Sequence, residues 1–208
     1  MAQTLKEDVR LSIINAAKQE FLEKGYKGAS MRSIANKANM TVGNLYRYYK
    51  NKEDINLSIV APTFRSIDSA IKVLNVYSGD GEPRVFNLKP DIYDVVSNFN
   101  KFADSLVDIY FSNMTEFNIL ILHSRISEEM IKKFFVVIND IISEPFVFNN
   151  LTSDKEILIK AYSESLFSGM KSIFKQNLND EIALKDLLKT YFRSFINMLN
   201  SGIKQSNE

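Results

Sequence analysis

The stretch SMRSIANKANMTVGNLYRYYKNK, from Ser30 to Lys52, constrains the fold of this chain more than any other. It contains two short segments with helical spacing, joined by a tight turn. Ser30 and Thr41 each stand at the start of a segment, where a hydroxyl can accept a hydrogen bond from a free backbone N–H group. Asn39 and Met40 lie between the segments, and Asn tolerates the left-handed backbone that a short reversal requires. The pattern therefore predicts a helix-turn-helix.

The second segment carries a glycine and an unusual number of hydrogen-bond donors. Leu45 is expected to face the first segment. Gly43 costs a helix interior about 1 kcal/mol relative to Ala, a cost that is accepted where the backbone must approach something else. The side chains around it are of the kind that hold phosphates and read base edges, namely Thr41, Asn44, Tyr46, Arg47, Tyr48, Lys50 and Lys52. We therefore predict a DNA-binding helix; an ordinary solvated helix is the alternative.

With the helix before it, this stretch resembles the DNA-binding domain of the TetR/AcrR family of bacterial transcriptional regulators. The match covers about the first quarter of the chain, and many positions agree at fixed spacing in one order. The matching residues are Ile13, Ile14, Ala16, Ala17, Phe21, Gly25, Tyr26, Ser30, Ile34, Ala35, Ala38, Val42, Gly43, Asn44, Leu45, Tyr46, Tyr48, Tyr49, Lys52 and Glu53. Three sites depart from the family pattern: Asn39-Met40 at the turn, Tyr49 in place of Phe, and Asn51 in place of a capping Ser.

The resemblance implies a role for each matching position at the DNA. The predicted contacts are Ser30, Met31 and Arg32 with the DNA backbone, Thr41, Val42 and Gly43 with base edges, Tyr46, Arg47, Tyr48 and Lys52 with phosphates, and Asn44 and Lys50 as further contacts. It also implies a homodimer that binds a palindromic double-stranded DNA operator, most simply as a repressor that a small effector releases. An interaction protein that uses the same fold mainly to bind a protein partner is the alternative.

Charge is distributed unevenly along the 208 residues, although the net charge is only +1. Residues 1–55 hold 10 Lys and Arg against 6 Asp and Glu, which gives +4, and residues 56–208 hold 16 against 19, which gives −3. The positive charge thus lies where a DNA-binding domain needs it, although chance alone can produce such an asymmetry. We predict a helix-turn-helix domain over 1–55 and a helical effector-binding and dimerisation domain over 56–208.

Several classes of function are disfavoured by composition. The chain has no Cys and a single His, so we predict no metal site, no cofactor and no histidine-based catalytic centre. Carboxylates at helical spacing, such as Asp104 and Asp108, are more often a solvated face than an active site, so we predict that the protein is not an enzyme. The N-terminus lacks a signal-peptide pattern, and the longest charge-free runs are too short to span a bilayer, so we expect a cytoplasmic protein without membrane association.

Hydrophobic periodicity predicts an all-α fold of about nine helices, without strand-like alternation. Asn51 is expected to cap the fourth helix, and Pro62 is expected to kink or break it. Residues 78–90 are expected to form a loop. The predicted helices span about 5–24, 31–38, 42–48, 52–77, 91–112, 115–123, 126–146, 154–176 and 180–201.

The last two helices differ from the others in their faces. The final helix has a broad apolar stripe, and the one before it carries Ser165, Ser168 and Gly169, which are small enough to let another helix approach closely. In the family that the chain resembles, these two helices pack on the same two helices of a second copy and form a four-helix dimer interface. A purely intramolecular core is the alternative.

Aromatic residues are frequent in the central helices, which suits a pocket for a small, mostly apolar effector. For any one of these residues a role in the core is the alternative, and the commoner one. The candidate pocket residues are Phe64, Phe99, Phe102, Tyr110, Phe117, His123 and Phe134.

Overall fold

The structure is a computed structural model that describes residues 2–74, 92–121, 124–142 and 152–205. All regular structure in these residues is helical, which confirms the predicted all-α class. The helices are α1 (Ala2–Gly28), α2 (Met31–Lys37), α3 (Val42–Tyr46), α4 (Lys52–Ile71), α5 (Ile92–Ser112), α6 (Met114–Ile121), α7 (Ser124–Ile142), α8 (Thr152–Phe174) and α9 (Glu181–Gln205), with a 3₁₀ turn at Lys72–Leu74 after α4. No described helix combines the length and the apolar character needed to cross a bilayer.

The chain divides into two compact units that are not continuous in sequence. The first unit contains residues 1–66 and 113–124, and the second contains residues 67–112 and 125–208. The first unit therefore includes α6 as well as the first three helices and most of α4. The predicted functional boundary between residues 55 and 56 is a different division and stays a prediction.

In the first unit, an apolar core joins the helix-turn-helix to α1 and α6. The helix α1 packs on α6, and α2 packs on α1 and on α3. An ion pair between Lys18 of α1 and Glu116 of α6 adds to this apolar contact. The core consists of fully or nearly fully buried side chains from all five helices, among them Ile13, Ala17, Phe21, Ile34, Ala35, Leu45, Ile55, Val60 and Phe117.

The second unit is organised by the packing of α5 along α9. Aromatic rings fill the space between the helices. The ring of Phe192 lies 5.3 Å from that of Phe99 and 5.8 Å from that of Phe102, between centroids. Phe102 in turn meets Phe134 of α7 at 6.1 Å. Such tilted and edge-to-face pairs are the arrangements that aromatic rings prefer in a core.

Two ion pairs follow the α5–α9 contact on its surface. Lys185 lies 2.7 Å from Asp108, and Lys189 lies 2.6 Å from Asp104. The carboxylates that stand at helical spacing in the sequence thus bind lysines of α9. Exposed pairs of this kind add little to the stability of a protein.

Several predicted helix ends were wrong: α1 ends at Gly28 rather than residue 24, and α9 ends at Gln205 rather than residue 201. The helix α3 ends at Tyr46 rather than residue 48, because the N–H of Arg47 turns to the carbonyl of Asn44. The helix α4 ends at Ile71 and continues through Pro62 without a break. Proline costs a helix interior about 3 kcal/mol, which the buried apolar side chains on both sides of it can offset.

Those side chains are Ile59 and Val60 before the proline and Ile67 after it. The predicted loop at 78–90 lies outside the described residues.

Close contact between α8 and α9 depends on Gly169. A Cβ atom at this position would lie 2.2 Å from the hydroxyl oxygen of Tyr191 and 2.5 Å from its Cζ. The Tyr191 hydroxyl donates to the backbone carbonyls of Ser165 and Leu166, at 3.0 and 3.1 Å. The prediction that a small residue here lets another helix approach is confirmed, and the approaching helix is α9 of the same chain.

We expect Gly169→Ala to destabilise the protein by about 1–3 kcal/mol, because the new methyl group displaces the Tyr191 ring and breaks its hydrogen bonds. The loss would exceed the gain of about 1 kcal/mol that Ala normally brings to a helix. Urea unfolding followed by circular dichroism measures the change. An unchanged or raised midpoint would show that the ring is not held against this glycine.

Candidate nucleic-acid interface

The orientation of α1 against α2 is set by a buried carboxylate, Glu20, which is only 1% exposed. Its two oxygens lie 2.7 Å from the ammonium of Lys24 and 3.3 Å from that of Lys37. Lys37 also lies 2.5 Å from Glu23. The hydrogen bond from Lys24 lowers the pKa of the Glu20 carboxyl to about 2, against the burial that would raise it, and Ser33 and Lys37 add to the lowering. Glu20 therefore stays charged and joins two helices.

A reciprocal cap fixes the start of α2. The N–H of Ser33 donates to the Ser30 hydroxyl at 3.1 Å, and the N–H of Ser30 donates to the Ser33 hydroxyl at 3.0 Å. Two backbone donors that a helix start leaves open are thus satisfied. The predicted capping role of Ser30 is confirmed.

The turn between α2 and α3 has the backbone that its sequence predicted. Asn39 has a φ of 53°, in the left-handed region. The N–H of Met40 returns to the carbonyl of Ala35 at 3.0 Å, which closes the reversal. A short polar residue is the one type besides glycine that visits this region routinely. The turn therefore presents α3 at a fixed angle to α2.

The helix α3 is held on one side and open on the other. Thr41 caps it, because its hydroxyl accepts from the N–H of Asn44 at 3.2 Å. Leu45 is fully buried, as predicted. Gly43 is exposed, and a Cβ atom built on it meets nothing within 4 Å. Nothing inside the described part of the chain therefore requires a glycine at this position. A binding partner that comes close to the backbone of α3 would require one.

The open side of α3 continues into a surface rich in hydrogen-bond donors. Tyr46 is 53% exposed, and Arg47, Lys50 and Arg32 are also exposed. Within the described residues none of these three cations is in an ion pair, whereas Lys18, Lys24 and Lys37 on the other helices of the unit bind carboxylates. Positive charge is thus left unneutralised at the surface of the helix-turn-helix, where phosphates would be held.

The corner between α3 and α4 is equally well defined. The Asn51 side chain accepts from the N–H of Asp54 at 2.8 Å, so Asn51 caps α4 as predicted. Asp54 accepts from the N–H of Lys50 at 3.0 Å. Lys52, the first residue of α4, donates to backbone carbonyls at the end of α1.

The predicted DNA contacts differ in exposure. All of them belong to the first unit, at the start of α2, on α3 and at the α3–α4 corner. Ser30, Arg32, Thr41, Gly43, Tyr46, Arg47 and Lys50 are exposed, and Met31, Val42, Asn44, Tyr48 and Lys52 are half-buried. The structure thus brings the whole predicted set onto consecutive elements of one motif.

The candidate pocket residues are divided between the units. Phe99, Phe102 and Phe134 are buried in the second unit. Tyr110 is buried there as well, and its ring centroid lies 5.1 Å from that of Phe174. Phe64 is half-buried on α4, and Phe117 is buried on α6. His123 lies outside the described residues. A ligand pocket lined by these residues stays a prediction.

Sequence reasoning missed some residues that shape the site. Glu20 was overlooked because a Glu on an exposed-looking helix face is usually solvated. A neighbouring signal did exist, since Lys24 lies four residues later, but Lys37 is distant in sequence. Phe174 and Phe192 were assigned to the last two helices without a role in the aromatic core, because periodicity does not reveal which helix a stripe faces.

A capped helix-turn-helix with exposed, unpaired cations on the described residues that flank α3, in an otherwise helical chain, is the arrangement found in helix-turn-helix transcriptional regulators. Residues 13–59 match the family described as bacterial regulatory proteins, tetR family. The N-terminal part of this chain is therefore a TetR-family DNA-binding domain. Proteins of this family are DNA-binding regulators and not enzymes, in agreement with the sequence-based prediction.

Comparison with individual proteins supports the same family. The chain is 32% identical over 69 residues to the HTH-type transcriptional repressor KstR of Rhodococcus jostii (strain RHA1), which is 33% of this chain and 32% of that protein. It is 41% identical over 49 residues to the fatty acid metabolism regulator protein of Bacillus subtilis (strain 168), or 24% of this chain and 25% of that protein. The chain thus aligns with about a third or less of the length of these curated relatives.

The fold extends further than the sequence likeness. The structure of the fatty acid degradation regulator FadR from Bacillus halodurans superposes on 89% of this chain and 94% of its own, with a TM-score of 0.55 and 16% identity. The TetR-like fold therefore includes the C-terminal helices, for which the sequence carries no matching motif.

We expect Glu20→Gln to destabilise the protein at neutral pH by on the order of 2 kcal/mol, because a buried ion pair loses its charge. The folded pKa of Glu20 is lowered from 4.5 to about 2. Its contribution is therefore fully present above about pH 4.5 and is lost as the pH falls towards 2.

Urea midpoints of the wild type and the variant between pH 7 and pH 2 measure this. The two stabilities should converge at low pH, and Glu23→Gln, at an exposed partner of Lys37, serves as the matched control with a smaller effect. A difference between wild type and Glu20→Gln that does not change with pH would contradict the assignment.

Proposed function

We propose that this protein is a ligand-responsive, DNA-binding transcriptional regulator that acts as a repressor. The observation that carries the proposal is the open glycine on α3. Gly43 is exposed and uncrowded, and it lies beside exposed Tyr46 and unpaired Arg47 within a TetR-family domain. A backbone that is left open in this way suits the major groove, where a recognition helix must come close to base edges.

The predicted contacts would divide the work of DNA recognition. Thr41, Val42 and Gly43, at the start of α3, would approach base edges. Tyr46 and Arg47 at its end would hold phosphates, together with the side chains at the start of α2. Contacts to phosphates fix the register of a protein on DNA, and contacts to base edges determine the sequence.

A homodimer is supported by two charge-free stripes on the second unit. On α9 the exposed stripe consists of Ala183, Leu187, Thr190, Ser194 and Met198, opposite its buried face. On α8 it consists of Ile157, Ala161, Ser165, Ser168 and Ser172. The hydrogen bond from Tyr191 to the Ser165 carbonyl holds the two stripes side by side. An exposed surface with apolar and small residues and without charges is typical of a helix-packing interface.

Dimer formation would also account for control by an effector. Two recognition helices must stand about 34–36 Å apart, or a further helical turn, to enter successive major grooves. The helix α4 contributes residues to both units, so a ligand that favours another α4 position would change the spacing of the recognition helices. Affinity for the operator then falls by the difference between the two states.

The effector is proposed to be small and mostly apolar, in keeping with the aromatic side chains of the second unit. One relative is named for fatty acid metabolism, so fatty acids should be the first ligands tested, beside cationic and acidic compounds. A rise in melting temperature with one class, together with release from DNA by the same compound, would identify the effector class. A protein with such a role is expected in the cytoplasm.

Binding of the full-length protein to the DNA upstream of its own gene, beside a scrambled duplex, tests the proposed function. We expect preferential binding of the native sequence, with an affinity that falls steeply as salt rises, because phosphate contacts release counterions. Equal affinity for both duplexes across the salt range would contradict specific recognition at that site. Lack of binding to either duplex at low salt would contradict the DNA-binding role itself.

Gly43→Ala separates folding from recognition. We expect the variant to be as stable as the wild type or up to about 1 kcal/mol more stable, because Ala favours helix and the methyl group meets nothing. Its affinity for the native duplex should nevertheless fall by about tenfold or more, since the methyl group obstructs the approach of the backbone to the bases. Urea unfolding and fluorescence anisotropy with labelled DNA measure the two effects. Unchanged affinity would remove Gly43 from the interface.

Leu187→Glu tests the dimer. The side chain is 41% exposed in the single chain, so the change should leave the fold intact while it places two charges at a symmetric interface. We expect a monomer by sedimentation at micromolar concentration, where the wild type is a dimer. Val136→Glu on α7, at an apolar residue that is 53% exposed, is the matched control and should remain dimeric. A wild-type monomer would contradict the dimer.

A further inference from the structure

Lys52 lies in a site that the protein itself provides for its ammonium group. Nζ donates to the backbone carbonyl of Tyr26 at 2.5 Å and to that of Ala29 at 2.7 Å. It also lies 4.4 Å from the centroid of the Tyr26 ring. Two of the three N–H donors of the ammonium are thus bound to carbonyls, and a ring face contacts its charge. Carbonyls and an aromatic face are together a good environment for a compact cation.

The two carbonyls belong to the connection between α1 and α2. Gly25, with a φ of 68°, interrupts the helical path of α1 just before Tyr26. Ala29 is followed directly by Ser30, which caps α2. Carbonyls at the end of a helix lack donors within the helix, and a cation is favoured there. Lys52 therefore supplies what the α1–α2 connection lacks, from the first residue of α4.

Lys52 joins two parts of the DNA-binding surface that are distant in sequence. On one side is the start of α2, where Ser30 and Arg32 are predicted contacts. On the other is the α3–α4 corner, where Arg47 and Lys50 are predicted contacts. The corner is rigid in its own right, because Asp54 accepts from the backbone N–H of Lys50. A bond from Lys52 to residues 26 and 29 thus fixes the separation of the two phosphate-contacting edges.

We propose that Lys52 is a positioning residue for DNA recognition, which sets the distance between the start of α2 and the end of α3. The inference rests on the proposed function. It differs from the phosphate contact that the resemblance implies for this residue, because the ammonium is already bound within the protein. Base recognition requires both edges to contact phosphates at once, so an error in their separation would affect the specific complex most.

Lys52→Met and Lys50→Met distinguish a positioning residue from a phosphate contact. Both variants lose one positive charge, and Lys50 is exposed two residues away on the same corner. Loss of a phosphate contact weakens binding to all duplexes alike and reduces the salt slope by about 0.9. We expect this result for Lys50→Met. For Lys52→Met we expect affinity for the operator to fall by about tenfold or more, and affinity for a scrambled duplex to change much less.

The ratio of the two affinities is the decisive quantity, since partial unfolding would lower both affinities equally. Lys52→Gln adds a second test, because its amide keeps two N–H donors but no charge. A positioning role predicts that Gln retains more of the ratio than Met, whereas a phosphate contact predicts equal losses. If Lys52→Met behaves as Lys50→Met does, the positioning role is wrong and the proposed function stands.

A measurement without DNA checks the structural basis. Amide hydrogen exchange of the intact protein at residues 30–34 should become faster in Lys52→Met and remain unchanged in Lys50→Met. Unchanged exchange in Lys52→Met would overturn the inference, whatever the binding results. If the wild type itself fails to distinguish operator from scrambled DNA, the proposed function fails first and the positioning role fails with it.

Discussion

The ion pairs of the buried Glu20 carboxylate are the interaction on which the geometry of the candidate DNA-binding surface depends. The carboxylate lies between α1 and α2 and binds Lys24 and Lys37, from both helices. A charge removed from water in this way is stable only where its partners are in place, because an unpaired buried charge is strongly destabilising. The arrangement of α1 and α2 is therefore more sharply defined than apolar packing alone would make it. Because the turn at Asn39 joins α2 to α3, the position of α3 is fixed by the same arrangement.

Charge is used in two opposite ways within the first unit. Lysines on α1 and α2 are neutralised by Glu20, Glu23 and Glu116, and they serve the fold. Arg32, Arg47 and Lys50 lie on the surface of the helix-turn-helix without such partners in the described structure. The net charge of residues 1–55 therefore does not distinguish two kinds of cation. Some lysines are paired with carboxylates inside the unit, whereas Arg32, Arg47 and Lys50 remain available to a ligand.

Much of the fold follows from the sequence because the signals are local. Caps at Ser30, Thr41 and Asn51 and the left-handed Asn39 depend on neighbouring residues, and the structure confirms each of them. The helix class follows from periodicity in the same way. The end of α3 was misplaced because Arg47 and Tyr48 continue the helical pattern while their N–H groups adopt a tighter turn. The continuity of α4 through Pro62 depends on burial by other helices, which a local pattern does not contain.

The predicted DNA contacts stay a prediction, but the connections that the structure shows among these residues did not follow from the sequence. The resemblance supplied the residues that are predicted to contact DNA, and the structure places them on one motif. The contacts of Lys52 with two carbonyls, and of Lys37 with Glu20, join residues that are 17 to 26 positions apart in the sequence. The aromatic residues behave differently again. Phe99 and Phe102 meet Phe192 of the last helix, and a stripe at helical spacing does not indicate which partner it faces.

The open space around Gly43 has a consequence for how this chain can vary over time. Leu45 of α3 is held by its burial, so a change there is opposed by instability. At Gly43 folding offers no such opposition, and helix propensity favours replacement. Under the proposed function, close contact with DNA would retain glycine there. In a lineage that no longer read DNA, this position would be free to become alanine while the rest of the domain persisted, so the residue found there reports whether the surface is still in use.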